Sequence, residues 1–284
     1  MKPSSGQFER NVTYIEKGYR KNYTISMQNY SLNTETGAET ISELKSDFFR
    51  EIYNVPKENV GYTKYTLTDT FYKANANAEF KKWTFAAGAE FYNCLYSLPD
   101  KEIKAAYYKE AELEPPFPSL TESFSKYPKL PSVYLLVMQA VDIITFDAFM
   151  CMVNSSYLTG SFSTEFMEIH ELTKRNIEIG AGVYSDDSYF ENEELFVRFI
   201  GKGIYHGEEC WIVEYDSAPA EIYVQHKIVN QNKKSKSLYS GKFYLSVKTG
   251  EILYGDMDEN VISIGKSRKY AKRKIVMAMG EENI

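Results

Sequence analysis

Cysteine and histidine are scarce in this 284-residue chain, with three of each. The cysteines stand far apart, at Cys94, Cys151 and Cys210, which excludes a disulfide framework and a thiolate zinc site. A His-x-Glu triplet starts at His206, as in zinc deaminases, but the Pro-Cys-x-x-Cys segment that completes their zinc site does not follow. His206 and Cys210 are therefore either a base and nucleophile pair or a turn histidine beside a buried strand cysteine.

Glycine-rich phosphate loops and hydrolase motifs are also missing. The Gly-Lys-Gly segment at 201–203 does not match Gly-x-Gly-x-x-Gly. It leads into a predicted hairpin, so the helix terminus that would bind a phosphate is absent. Neither His-Glu-x-x-His nor Gly-x-Ser-x-Gly occurs. We expect no cofactor and no resident metal ion.

Basic charge is in deficit, because 33 Lys and Arg stand against 39 Asp and Glu and give a formal net charge of -6. A dedicated nucleic-acid binder needs a basic face, so this balance argues against one. Near the C-terminal end, however, six of the nine residues bounded by Lys266 and Lys274 are Lys or Arg. This basic segment either makes a peripheral contact with anionic lipid or RNA, or protects an exposed edge strand from sheet-to-sheet pairing.

No apolar stretch that could act as a secretory signal follows Met1. We expect a cytoplasmic location if Met1 is the native start, and a bacterial envelope location if a signal segment has been removed. The longest apolar run, residues 133–153, contains Asp142 and Asp147, each of which costs about 2.5–3.5 kcal/mol at the centre of a bilayer. We therefore predict a buried helix there and no transmembrane segment.

Aromatic residues are abundant, with 24 Tyr and 17 Phe. In the N-terminal part, residues 11–31 and 60–96 alternate aromatic or aliphatic with polar side chains. This alternation predicts half-buried strands, with bends or bulges at Gly61 and Gly88. Between these strands, a capping box and apolar spacings of three and four over 41–52 predict a helix.

The rest of the chain divides into three segments. Five prolines lie within 113–131 and predict an extended connector. Residues 132–176 are predicted to be helical. Residues 190–280 alternate strands with short loops, including a tight turn after Tyr205, which predicts an antiparallel and strongly twisted sheet. Together with the mixed residues 1–112, these segments are expected to form a single large domain.

One hairpin in the C-terminal segment carries a resemblance to a known family. It runs from Phe243 to Ile252 around a Lys-Thr-Gly turn. Together with the meander over 190–280, it resembles the bacterial lipoprotein carriers and their relatives. The resemblance implies a curved antiparallel half-barrel over helices, with a cavity between the layers that accepts lipid. No catalytic or lipid-contact motif of those families is matched.

The strand pattern and the resemblance lead to one fold class. We predict an α+β protein with a curved antiparallel β-sheet, half-barrel-like, packed against the buried helix over 133–153. The N-terminal half is expected to be mixed, and to add strands to the same sheet or to form a second layer.

Non-catalytic binding is the leading functional hypothesis. Most Tyr and Phe residues serve as core and cross-strand pairs, so only their concentration on one concave face marks a ligand site. We predict such a site for an apolar or amphipathic, lipid-like small molecule, or for a protein partner. The candidate ligand-binding residues of the C-terminal sheet are Tyr205, Trp211, Tyr223, Tyr244 and Tyr254.

Two other functions remain open. Four acids form two pairs that share strand faces near predicted strand ends: Glu214 and Asp216, and Asp256 and Asp258. Two carboxylates about 5–9 Å apart in an aromatic cleft would suit glycoside hydrolysis, whereas solvent-facing acids would have no catalytic role. The other function is that of a structural or interaction subunit of a larger envelope or surface assembly, docking through the basic segment.

Overall fold

The computed structural model describes eleven stretches of the chain: residues 19–55, 60–84, 87–88, 90–97, 165, 167–168, 175–176, 187–225, 232–247, 252–264 and 269–280. No α-helix occurs within these stretches, so they contain no helix that is long and apolar enough to cross a membrane. The helix predicted over 133–153 and the connector predicted over 113–131 lie outside the described residues.

Fourteen strands make up the regular structure of the described residues. In chain order they are β1 (Tyr19–Asn33), β2 (Glu39–Val55), β3 (Val60–Lys73), β4 (Lys81–Lys82), β5 (Glu90–Ser97), β6 (Met167–Glu168), β7 (Arg175–Asn176), β8 (Tyr189–Glu191), β9 (Leu195–Tyr205), β10 (Glu208–Ser217), β11 (Ala220–Gln225), β12 (Asn232–Ser246), β13 (Ile252–Ile264) and β14 (Lys269–Met279). In the longer strands, buried and exposed residues alternate with the period of two that is typical of half-buried strands.

The strands form one antiparallel sheet, which is open and curved. Its main path runs β4-β3-β2-β1-β14-β13-β12-β10-β9-β6, while β11 pairs with both β12 and β8. β1 pairs with β14 from Tyr23–Met279 to Asn33–Lys269, so the first and last strands join the two halves of the chain. The prediction of a curved antiparallel sheet that includes N-terminal strands is confirmed.

Successive side chains point to opposite faces of this sheet. On β1, Tyr23, Ile25 and Met27 are at most 2% exposed, whereas Thr24 and Gln28 are exposed. We call the face that carries the first three residues the buried face and the opposite face the open face. The register continues this division from strand to strand across the sheet.

The hairpin between β9 and β10 has the predicted tight turn after Tyr205. His206 and Gly207 occupy its two central positions with φ of 45° and 81°. Positive φ at both positions is the geometry of a type I′ turn, whose twist matches that of the flanking strands. The predicted irregularities are also confirmed, because Gly88 has a positive φ and the register between β3 and β5 shifts at Gly61.

The helix predicted over 41–52 is wrong, because these residues lie in β2. Leu44 and Phe48 are four residues apart, a spacing that places two side chains on one face of a helix and equally on one face of a strand. Ser46 and Arg50 complete the buried face of β2. Because two of the four inward residues are polar, hydrophobicity alone did not reveal the period of two.

Within residues 132–176, which were predicted to be helical, the structure describes two pairs of residues as strand: Met167–Glu168 and Arg175–Asn176. β6 pairs with β9, and β7 pairs with β8. Both are two-residue strands at the margin of the sheet. Strands of this length are too short to show a period, so apolar spacing could not distinguish them from a helix.

The basic segment does not lie at an edge of the sheet. Its described part is in β14, which is paired with β1 on one side and with β13 on the other. Protection of an exposed edge is therefore not the reason for its charges. Asp256 and Asp258 were expected near a strand end, but β13 runs unbroken through both residues. Lys274 of β14 lies directly opposite Asp258.

Candidate ligand-binding face

The register aligns the buried side chains of neighbouring strands into rows that cross the sheet. One row, from β2 to β10, consists of Leu44, Met27, Ile275, Met257, Gly241 and Tyr215. The next row, over the same strands, consists of Ser46, Ile25, Met277, Gly255, Phe243 and Val213. Neither row contains a charged side chain, so these two rows are neutral and, apart from Ser46 and the Tyr215 hydroxyl, apolar.

Three methionines from three strands lie in the middle of these rows. Met27 and Met257 lie on either side of Ile275, and Met277 lies beside Ile25. All five side chains are at most 2% exposed. Methionine is unbranched and has a polarizable sulfur, so it adapts its shape to different apolar partners. We call these five residues the methionine zone.

The buried face becomes polar two residues further along the strands. Glu259 is 1% exposed, and its carboxylate accepts hydrogen bonds from Arg273 Nε at 2.5 Å and from Ser237 Oγ at 2.6 Å. Beside it, the hydroxyl oxygens of Ser235 and Ser263 are 3.4 Å apart. The ion pair and the hydrogen bonds offset the cost of burying the carboxylate. We call these five residues the polar end.

Two lysines stand at the margin of the polar end. By strand alternation, Lys233 lies on the same face as Ser235, and Lys269 lies on the same face as Arg273. Both lysines keep exposed surface. Burial lowers the pKa of Lys233, and the positive charge of Lys269 lowers it further. Within the described stretches, no carboxylate forms an ion pair with either ammonium group.

Three of the predicted aromatic residues contact one another on the open face. The ring centroids are 5.0 Å apart between Tyr244 and Tyr254, and Tyr205 lies 5.7 and 5.9 Å from these two rings. The Tyr254 hydroxyl donates to Asp256 Oδ2 at 3.0 Å. Burial, and then the negative charge of Asp256, raise the pKa of Tyr254 far above its usual value. This hydroxyl therefore remains a hydrogen-bond donor at any physiological pH.

Trp211 and Tyr223 lie apart from this cluster. Trp211 is on the buried face, with its ring 5.1 Å from the Phe199 ring and 4.2 Å from the Lys202 ammonium group. Tyr223 is on the open face, but it stacks on Tyr189 at 5.5 Å where β11 pairs with β8. The five aromatic candidates are thus divided between two faces and three places.

The structure places all four predicted carboxylates on the open face: Glu214, Asp216, Asp256 and Asp258. Glu214 forms an ion pair with Arg198, and Asp256 Oδ1 accepts the backbone N–H of Lys242 at 3.1 Å. Glu214 and Asp256 lie on either side of Lys242, so their backbones are two strand spacings, about 10 Å, apart. Glycoside hydrolysis by these residues stays a hypothesis.

The structure places His206 in a turn and Cys210 in the core. The His206 ring lies 4.3 Å from the Tyr205 ring. Cys210 is 1% exposed, and burial raises the pKa of its thiol. A buried protonated thiol is a poor nucleophile. The interpretation as a turn histidine and a buried strand cysteine is therefore confirmed.

Sequence reasoning missed both the methionine zone and the polar end. The strands that carry Met27 and Met277 were each recognisable from their alternation. Met27 and Met277 lie on neighbouring strands only because β1 pairs with β14, which joins opposite ends of the chain. The inward position of Glu259 follows from the unbroken course of β13, whereas the sequence predicted a strand end near Asp256 and Asp258.

No protein-family model and no curated protein matches the chain. Solved structures to which it is similar include lipovitellin, described for its lipid–protein interactions, at 9% identity and a TM-score of 0.41. That match covers 92% of this chain and 25% of lipovitellin, so the chain spans about a quarter of the length of that protein.

Two bacterial structures are also similar. A putative outer membrane lipoprotein-sorting protein domain from Vibrio parahaemolyticus has 9% identity and a TM-score of 0.17, over 98% of this chain and 94% of that one. A DUF1329 family protein from Desulfovibrio piger has 6% identity and a TM-score of 0.17, over 98% of this chain and 92% of that one. A lipoprotein-sorting domain is thus among the solved structures to which the chain is similar.

Proposed function

We propose that this protein binds an apolar or amphipathic, lipid-like molecule without catalysis, with the apolar part of the ligand against the methionine zone. The observation that carries this proposal is the division of the buried face into neutral apolar rows and a polar end. Each CH₂ group that such a ligand buries contributes about 0.8 kcal/mol. The hydrogen-bonding groups of the polar end suit the hydrated end of an amphiphile.

The chemistry of the methionine zone supports binding in addition to simple core packing. Leucine or valine side chains in the same rows would hold fewer conformations. Methionine side chains can rearrange around an inserted chain at low cost, because they have three flexible torsions and no branch. Of the five aromatic candidates, Trp211 shares the buried face, and we propose it as a further ligand contact. The tyrosines belong to the open face.

A neutral lipid-like probe tests the proposal. We expect dodecan-1-ol to bind the purified protein and Met257→Gln to weaken its binding about tenfold. The reason is that an amide facing an alkyl chain loses its hydrogen bonds with water, a cost of about 1–3 kcal/mol. Isothermal titration calorimetry below the aggregation limit of the alcohol measures the affinity, and circular dichroism confirms that the variant remains folded.

Leu238→Gln is the matched control for this experiment. Leu238 lies on the open face of β12 and is 43% exposed. Replacing it with glutamine introduces the same amide but leaves the methionine zone intact. Its affinity for dodecan-1-ol should equal that of the wild-type protein. Weaker binding by Leu238→Gln together with unchanged binding by Met257→Gln would place the ligand on the open face and refute the proposal.

A further inference from the structure

The basic segment is divided between the two faces of the sheet, because β14 alternates through it. Lys269 and Arg273 lie on the buried face, whereas Lys272 and Lys274 lie on the open face. Arg273 is engaged by Glu259, which leaves its charge balanced. Lys269 has no such carboxylate among the residues that the structure describes, and neither has Lys233 on β12.

The two lysines flank a row of hydroxyl groups. Ser235 of β12 lies opposite Ser263 of β13, and Lys269 comes next across the sheet, beside Tyr270, whose partner is Ile262. Lys233 extends the same face of β12 by one further inward position. Ser235 donates its hydroxyl proton to Ser263, so the margin of the polar end presents two ammonium groups and the Ser263 hydroxyl as donors to one anion.

We infer that the polar end recognises an anionic head group, a carboxylate or a phosphate, between Lys233 and Lys269, while the alkyl chain of the same ligand runs along the strands past Arg273 toward the methionine zone, which begins at Ile275, six residues or about 20 Å from Lys269. This inference rests on the proposed function and names its ligand class as a singly or doubly charged anionic amphiphile. Charge complementarity supports it: a bound anion would relieve the repulsion between the two lysines and accept a hydrogen bond from the Ser263 hydroxyl.

A matched pair of probes separates the head-group claim from lipid binding in general. Laurate and dodecan-1-ol have the same chain length and differ in the charge of the head group. We expect the wild-type protein to bind laurate at least tenfold more tightly than dodecan-1-ol at neutral pH and low salt. The double variant Lys233→Met, Lys269→Met should abolish that difference while its affinity for dodecan-1-ol stays unchanged. Calorimetric titrations measure all four affinities.

Lys272→Met is the control for charge. It removes one positive charge from the same strand on the open face, so it should leave the preference for laurate unchanged. Lys233→Arg keeps the charge and should keep most of the preference. Inorganic phosphate tests whether a free anion suffices, and we expect it to bind far more weakly than laurate because it lacks the alkyl chain.

The stability of the free protein gives a second readout that a purely structural role would not produce. Because the pKa of Lys233 is lowered in the folded chain, its protonated form opposes folding at neutral pH. Lys233→Met should therefore raise the melting temperature of the free protein while it weakens the binding of laurate. If Lys233 merely supported the fold, Lys233→Met would lower both the melting temperature and the affinity for laurate.

Failure of the proposed function and failure of the head-group inference would give different results. If neither laurate nor dodecan-1-ol binds, the proposed function fails. If both bind equally and the lysine variants change neither affinity, the proposed function stands and the head-group inference is overturned. Binding of inorganic phosphate as tight as that of laurate would also overturn it, since the site would then recognise a free anion.

Discussion

Gly241→Ala should destabilise the protein by about 3 kcal/mol or prevent its folding. Gly241 lies on the buried face of β12, where a Cβ atom would stand 1.9 Å from the backbone oxygen of Asp256 and 2.6 Å from the Tyr215 hydroxyl oxygen. The Tyr215 side chain crosses β12 at this glycine to donate a hydrogen bond to Asp256 O at 2.7 Å. Because the closest atom belongs to the backbone, no side-chain rotation can relieve the overlap.

Gly201→Ala provides the matched control. Gly201 also lies within a strand, β9, but no atom stands within 4 Å of the position that its Cβ would occupy. Alanine there should be neutral or slightly stabilising, since it restricts the unfolded chain. Urea unfolding followed by circular dichroism measures both variants. Equal urea midpoints for the two variants would show that the Tyr215 side chain does not cross β12 at Gly241.

Arg273→Met should cost about 3–5 kcal/mol of unfolding free energy, because it leaves the Glu259 carboxylate buried without its cation. The Glu259 side chain is 2% exposed and that of Arg273 is 21% exposed. Ser237 would remain as a hydrogen-bond donor, but one neutral hydroxyl does not balance a buried charge. Urea unfolding monitored by circular dichroism measures the loss.

The double variant Glu259→Met, Arg273→Met separates the ion pair from the packing around it. It removes both charges together, so it should recover most of the stability that Arg273→Met loses. A double variant as unstable as the single one would show that the arginine stem, rather than its charge, supports the fold. A single variant as stable as the wild-type protein would contradict the burial of Glu259.

Much of the fold was predictable from local patterns. The hairpin around His206 and Gly207 follows from turn chemistry, and the strands of the C-terminal meander follow from their alternation. β2 was mistaken for a helix because Leu44 and Phe48 fit both periods while Ser46 and Arg50 hid the alternation. For the hairpin, the C-terminal strands and β2 alike, the prediction depended on the types of residues within a few positions of one another.

The candidate site was much less predictable, because it depends on pairing between distant strands. The methionine zone exists because β1 pairs with β14 in one particular register. A shift of that register by one residue would turn Met27 or Met277 to the open face. The aromatic candidates were chosen by residue type alone, and Trp211 and Tyr244 prove to lie on opposite faces.

Native mass spectrometry of freshly purified protein, compared with the same sample after denaturation, tests directly whether the protein holds an amphiphilic ligand. We expect an additional mass of several hundred daltons that disappears on unfolding and that belongs to an amphiphile with an anionic head group. Met257→Gln should reduce the occupied fraction, and Leu238→Gln should not. Protein at its bare chain mass that also takes up neither laurate nor dodecan-1-ol when they are added would contradict ligand binding on the buried face.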